Sequence, residues 1–190
     1  MDIQTIHKIL KDRNLEVVLG LETHIRLNTA SKLFCSCANT ESNTPNDHIC
    51  SGCTGQPGSL PALNKEAVNK AIRFGKAVHS TFKNKTICWD RKHYEYPDLP
   101  NNYQLTQFQR PIIPDGYICC YRNDGSDFKV DLHQVHIEED AAKLVHDEKH
   151  TYVDFNKSGA PLIEVVTKPC IRDIGDVPIY AQNLQRIVQT

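Results

Sequence analysis

Cys35 and Cys37, a gap of twelve residues, then Cys50 and Cys53 form a C-x-C…C-x-x-C pattern. Paired thiols on two tight turns can supply the four sulfurs of tetrahedral zinc. Four thiolates close the coordination shell, so such a centre shapes a loop and leaves no position for a reacting water. His48, inside the gap, is an alternative ligand, and cysteines packed without metal are the plainer reading. A second set is acidic. Glu22 and His24 share one face of a strand, Glu138, Glu139 and Asp140 follow His136, and Glu164 interrupts the apolar run Leu162 to Val166. A carboxylate within an apolar strand costs several kcal/mol unless a cation or hydrogen-bond donors meet it. Carboxylates and an imidazole on neighbouring strands suit a divalent ion such as Mg²⁺ and, through it, phosphate. The competing readings are a buried arginine partner for Glu164, a solvated turn at the acidic triplet, and a core-satisfied His24.

The remaining chemistry is sparser. Lys92 lies in the polar, proline-broken segment DRKHYEYPDLPNNYQLTQ beside Tyr94 and Tyr96. That segment is either a surface loop packed by its tyrosines or a means of bringing Lys92 to a phosphate. Cys88, Cys119, Cys120 and Cys170 lack ligand spacing and read as small buried hydrophobes. The chain contains neither G-x-x-x-x-G-K-[ST] nor G-x-G-x-x-G, so a familiar phosphate-cradling glycine loop is excluded.

These residues need elements to hold them. Apolar Ile3, Ile6, Ile9 and Leu10 recur at helical spacing. From Val17 the period changes to two, with Val17, Leu19, Leu21 and Ile25 apolar and Glu22, His24 and Arg26 opposite, which predicts a half-buried strand. Asn64 can cap a helix through about Val78. Strands are expected over 129–137, 152–155 and 162–167, the last two joined by the turn-rich NKSGAP. A closing helix follows Asp176, with Pro178 in its first turn. The pattern is α+β, in one domain over 1–190 with a Cys-rich loop at 35–53.

With 39% hydrophobic residues in 190, the chain can build a core. Its 22 basic and 23 acidic side chains, net −1, exclude a global field for nucleic acid or membrane, so a polyanionic partner must meet a local patch. Charges at Asp2, Lys8, Lys11, Asp12 and Arg13 break up any signal-peptide core, and no apolar run approaches the ~20 residues of a membrane span. A cytoplasmic protein is expected, and in a reducing compartment its eight cysteines are thiols or metal ligands before disulfides.

Taken together, VVLGLETHIRLNTASKLFC, the cysteine pairs, PGSLPALNKEAV, DRKHYEYPDLPNNYQLTQ, HIEEDAAKL and VDFNKSGAPLIEVVTKP occur in the order of one family. The chain resembles the GatB/GatE family, B subunits of aspartyl/glutamyl-tRNA amidotransferases, over nearly residues 16 to 190. The resemblance implies a cradle on an antiparallel sheet with flanking helices, like that of glutamine synthetase and guanidino kinases. It implies a carbon–nitrogen ligase activity using ATP and Mg²⁺. A side-chain carboxylate of misacylated Glu-tRNA(Gln) or Asp-tRNA(Asn) is phosphorylated, and ammonia then displaces the phosphate. An amidase (A) subunit supplies the ammonia, a small C subunit clamps the pair, and no membrane is involved.

Carried over by resemblance, Glu22 and His24 match the family's G-L-E-x-H, Glu139 the second glutamate of E-E-D, and Glu164 the glutamate of P-L-[IL]-E. These four are the expected Mg²⁺ ligands, and Lys92, from D-R-K-x-Y, is the expected phosphate ligand. Glu138 and Asp140 are second choices, because a strand cannot point Glu138 and Glu139 the same way. The chain departs from the family's N-R-x-G at Lys157 and from its S-E-P-D at Lys168 and Cys170. Family members also continue for hundreds of residues through domains that grip tRNA, so the isolated chain is expected to be inactive. A non-catalytic, zinc-stabilised remnant or paralogue that binds the amidase is the alternative.

Overall fold

The computed structural model describes residues 3–189. In chain order the elements are α1 (Ile3–Asp12), β1 (Glu22–Arg26), α2 (Lys65–Ala77), β2 (Asp90–His93), β3 (Tyr103–Thr106), β4 (Gly116–Tyr121), β5 (Asp127–Glu139), β6 (Lys143–His146), β7 (Thr151–Asp154), β8 (Pro161–Thr167) and α3 (Asp176–Gln189). The main sheet has the order β1-β8-β5-β4, antiparallel throughout, while β2-β3 and β6-β7 form two separate hairpins. This is the mixed α and β architecture that the sequence pattern predicts, with the principal antiparallel sheet that the family resemblance implies.

One face of the main sheet carries Ile118, Cys120, Val130, Leu132, Val135, Ile137, Ile163 and Val165, all buried in one cluster with Ala67, Ala71 and Phe74 of α2 and Tyr180 and Leu184 of α3. Strict alternation along β5 would make this impossible, because Val130 and Leu132 have the opposite parity to Val135 and Ile137. A bulge resolves the conflict. Leu132 opposes Thr167 but Gln134 opposes Val166, so His133 is an extra residue on β5. The bulge turns Val135 and Ile137 inward and re-aims His136 and Glu138 to the other face.

The helix expected after Asn64 is α2, whose first turn is capped by Asn64 Oδ1 accepting from the Glu66 and Ala67 amides. The side-chain amide of Asn64 also donates to Ser31 O and Lys32 O, tying the helix start to the cysteine loop. Past its other end, Gly116 adopts φ 151°, and a Cβ there would come within 2.7 Å of Val78 O. Glycine alone fits that crossing.

Several elements differ from expectation. The first strand begins at Glu22 rather than Val17. Leu21 N and O still bond Thr167, but the opposing chain then reaches Pro169, which has no N–H to extend the ladder, and only the Leu19–Ile171 bridge resumes it. Strands β7 and β8 do not pair with each other, since β7 folds back on β6 and β8 enters the main sheet. The Lys92 segment is the β2-β3 hairpin rather than a loop, and β4 has no counterpart in the sequence reading.

Candidate functional site

On the face of the sheet opposite the core, cross-strand pairing sets His24, Glu164 and His136 in one row, one from each of β1, β8 and β5. Glu138, two residues beyond His136, completes the group. His24 Nε2 lies 3.0 Å from Glu138 Oε1 and 3.3 Å from Glu164 Oε2. His136 Nε2 lies 3.5 Å from Glu138 Oε2 and 3.3 Å from Glu164 Oε2. Glu138 and His136 are buried and Glu164 nearly so, whereas the His24 side chain is 52% exposed at the mouth. The two carboxylates are thus bridged by two imidazoles, in a pocket where bare charges would be costly.

Burial alone would push the His136 imidazole down. Its contacts with Glu138 and Glu164 win, and its pKa rises to about 9. Glu164 is correspondingly held below the usual carboxylate range, first by His136 and, against its own burial, by His24 and Lys92. The Nδ1 atom of His136 is buried without a hydrogen-bond partner among the described residues. Lys92 reaches the same region from the β2-β3 hairpin. The Tyr94 hydroxyl raises its pKa against burial, with further help from Glu138 and Glu164.

His24, Glu138 and Glu164 each offer a ligand atom within 4.8 Å of the others. Two carboxylates and one imidazole, open toward His24, make an oxygen-rich donor set that fits a hard divalent cation with positions left for water or phosphate. Two of the four expected ligands, Glu22 and Glu139, therefore lie outside the cluster. Glu138 joins the cluster and Glu139 does not, because beyond the bulge Glu139 has the parity of Val135 and Ile137. Its carboxylate instead accepts from Leu105 N at 3.0 Å, and burial raises its pKa to about 7. Glu22 shares the face of His24 but pairs across to Val166 and stands outside the group. Asp140, just past β5, pairs with Lys157 at 3.1 Å, so Lys157 of the departing N-K-S-G segment has its own local partner. His136, flanking the acidic run in sequence, is the cluster residue that no motif singled out. The phase change from Val130/Leu132 to Val135/Ile137 was the signal that could have found both it and Glu138.

The cysteines converge separately. Cys35, Cys37, Cys50 and Cys53 lie with their sulfurs within 4.8 Å of one another, Cys53 being 3.9 Å from Cys50 and 4.0 Å from Cys37. Four zinc–sulfur bonds of ~2.3 Å define a tetrahedron with edges of about 3.8 Å, so these separations fit. Cys35 and Cys37 sit on a turn closed by Lys32 N→Cys37 O and by the Ser31–Ala38 bridge. Cys50 and Cys53 sit on a turn closed by Thr54 N→Cys50 O and Cys50 N→Cys53 Sγ. Crowding sets the thiols apart. Cys35 is pushed up by its contact with Cys53 and by burial, and Cys53 is pulled down by Cys35, the Cys50 amide and Lys32. His48 turns away, with its Nδ1 3.2 Å from Thr40 O, so the alternative with histidine as a ligand is not the one the fold adopts.

An antiparallel sheet thus carries a carboxylate–imidazole cluster on its open face and, at its side, a pair of turns whose four cysteine sulfurs are close enough to hold a metal ion. The chain belongs to the GatB/GatE catalytic domain family, which it matches over residues 17–190. It is 44% identical over 179 residues to the B subunit of the aspartyl/glutamyl-tRNA(Asn/Gln) amidotransferase of Lachnospira eligens, covering 93% of this chain and 37% of that protein. It is 43% identical over 174 residues to the corresponding protein of Campylobacter jejuni, covering 92% of this chain and 36% of that protein. The chain thus spans little more than a third of the length of these relatives.

Proposed function

We propose that this chain is the ATP-dependent activating part of a B subunit of an aspartyl/glutamyl-tRNA amidotransferase. The observation that carries the reading is the convergence of His24, Glu138 and Glu164 on one open point beside Lys92. In this reading those three residues hold Mg²⁺, which supplies charge neutralisation to the phosphates when bound. Lys92, a point charge on a hairpin, holds a phosphate oxygen. His136 buffers the charge of Glu138 and Glu164 and keeps both oriented. A side-chain carboxylate oxygen of Glu-tRNA(Gln) or Asp-tRNA(Asn) attacks the γ-phosphorus of ATP, ADP leaves, and an acyl phosphate forms. Ammonia from the amidase then attacks the acyl carbon and inorganic phosphate departs. Phosphoryl transfer of this kind needs positioning and charge rather than a protein nucleophile, which the cluster is suited to provide.

Zinc at Cys35, Cys37, Cys50 and Cys53 fits as a structural ion that fixes the loop beside β5. The amidase, the small C subunit and the tRNA are partners of the longer protein, in the cytoplasm, with residues 1–190 serving as one unit of its cradle. Alone, the chain is a poor amidotransferase, since its net charge of −1 offers tRNA little attraction.

The test is a chimera in which residues 17–190 replace the matching region of the Lachnospira eligens protein, assembled with that organism's other amidotransferase subunits. ATP-dependent formation of Gln-tRNA is expected, and Glu164→Gln should abolish it while glutamine hydrolysis by the amidase continues. A chimera that hydrolyses glutamine but never activates the carboxylate, with or without Glu164, would favour a non-catalytic module.

A further inference from the structure

Lys32 is fully buried, with 0% of its surface exposed. Burying an ammonium costs several kcal/mol unless its donors and its charge are both answered. The donors are answered. Nζ donates to His48 O at 2.7 Å, Phe155 O at 3.1 Å and Cys53 Sγ at 3.5 Å, which uses all three N–H groups. The charge is a different matter, because two of these acceptors are neutral carbonyls. Among the described residues no carboxylate lies within ion-pair distance of Nζ. Of its three partners, the Cys53 sulfur is the one that can carry a negative charge. The roof over this contact excludes water. Gly159, at φ +81°, has both Lys32 Cδ and Cys53 Cβ 3.7 Å from where its own Cβ would stand, and Ser158 Oγ bonds Cys53 O at 3.3 Å.

We propose that Lys32 is the counter-charge and positioning residue of the four-cysteine centre, its buried ammonium in contact with Cys53 Sγ strengthening the hold of the four sulfurs on zinc. Four thiolates around a divalent ion leave two excess negative charges in a partly buried site. An ammonium in direct contact offsets one of them. The same side chain fastens the metal loop, through His48 O, to the β7–β8 turn, through Phe155 O. Metal capture and closure of that turn over the sheet are then one event. The inference rests on the zinc reading of the cysteines.

Zinc affinity of the full chain, measured by chelator competition, tests it in wild type and in Lys32→Met, which keeps the aliphatic stem and removes the charge. The variant should bind zinc about 10- to 100-fold more weakly. Both forms of the variant lose the bonds to His48 O and Phe155 O, so its loss of stability relative to wild type should be clearly larger in the zinc-loaded form, where the counter-charge is missing as well. Wild type that binds zinc alongside a variant that binds it equally well overturns the role of Lys32 and leaves the zinc reading standing. Wild type that binds no zinc overturns both. A merely structural pin would destabilise the zinc-free and zinc-loaded forms alike, and that outcome also counts against the proposal. If the variant does not fold, wild-type protein loaded with NMR-active cadmium decides. Scalar coupling from the metal to the Lys32 ζ protons is expected alongside that to the Cys50 amide, whose N–H···Sγ contact with Cys53 at 3.2 Å serves as the internal control. Coupling at Cys50 without coupling at Lys32 would refute the contact.

Discussion

Glu138 and Glu139 are adjacent in sequence and serve opposite faces of the same strand, one at the imidazole cluster and one packed against the β2-β3 hairpin and the cysteine loop. The two should therefore respond differently to the same conservative change. In the chimera, Glu138→Gln should lower the rate of carboxylate activation by about 10²-fold or more, the scale expected when a positioned charge is lost from a phosphoryl-transfer site. Glu139→Gln keeps an acceptor for Leu105 N and should retain activity within a few-fold, as measured by ATP-dependent Gln-tRNA formation. The motif E-E-D points to this stretch but does not say which glutamate faces the imidazole cluster. That choice depends on counting phase through a bulge, and a single residue inverts it. Glu164 was legible for a simpler reason. A charge inside Leu162 to Val166 has no bland account without a partner, and its partners are His24 and His136.

At the scale of elements, the device that builds the site is the extra residue in β5. Deleting His133 should force either the core residues Val135 and Ile137 or the cluster residues His136 and Glu138 to the wrong face, so the deletion should abolish a cooperative thermal transition. His133→Ala keeps the residue count and, at an exposed position, should leave stability within about 0.5 kcal/mol of wild type, as read from the thermal transition. The turn after α2 offers a pH-dependent test. Burial favours the neutral form of Asp115, but its bonds from Thr81 Oγ1 at 2.6 Å, Thr81 N at 2.8 Å and Ser80 Oγ at 3.1 Å hold the carboxyl below its ordinary pKa of 3.8. A depressed folded-state pKa contributes stability above the unfolded value, and this is lost as pH falls through the folded one. Asp115→Ala should cost about 1 kcal/mol at neutral pH and progressively less as the pH falls below 3.8, by urea denaturation. The helices were legible because caps and a 3.6 period are local. Strands β2, β3 and β4 were less so, because short polar or cysteine-bearing strands acquire their identity from partners distant in sequence.

For the whole molecule, the two clusters divide the labour between shape and chemistry. The four cysteines lie on a long connection with little regular structure of its own between β1 and α2, so a metal held there would couple its binding to folding. Removing zinc with a chelator should lower the melting temperature and first expose the region around Cys35 to Cys53 and its neighbours Lys32, Phe155 and Gly159, as read by hydrogen exchange. No helix among the described residues is long and apolar enough to cross a membrane. The central claim is that His24, Glu138 and Glu164 form one divalent-cation site that presents phosphate to Lys92. Electron paramagnetic resonance of Mn²⁺ bound to the chain in the presence of ATP tests it most directly. Wild type should immobilise the ion with ATP, Glu139→Gln should do the same, and both Glu138→Gln and Glu164→Gln should fail to do so while remaining folded. Mn²⁺ bound equally by wild type and Glu138→Gln, or lost only in Glu139→Gln, would contradict the account.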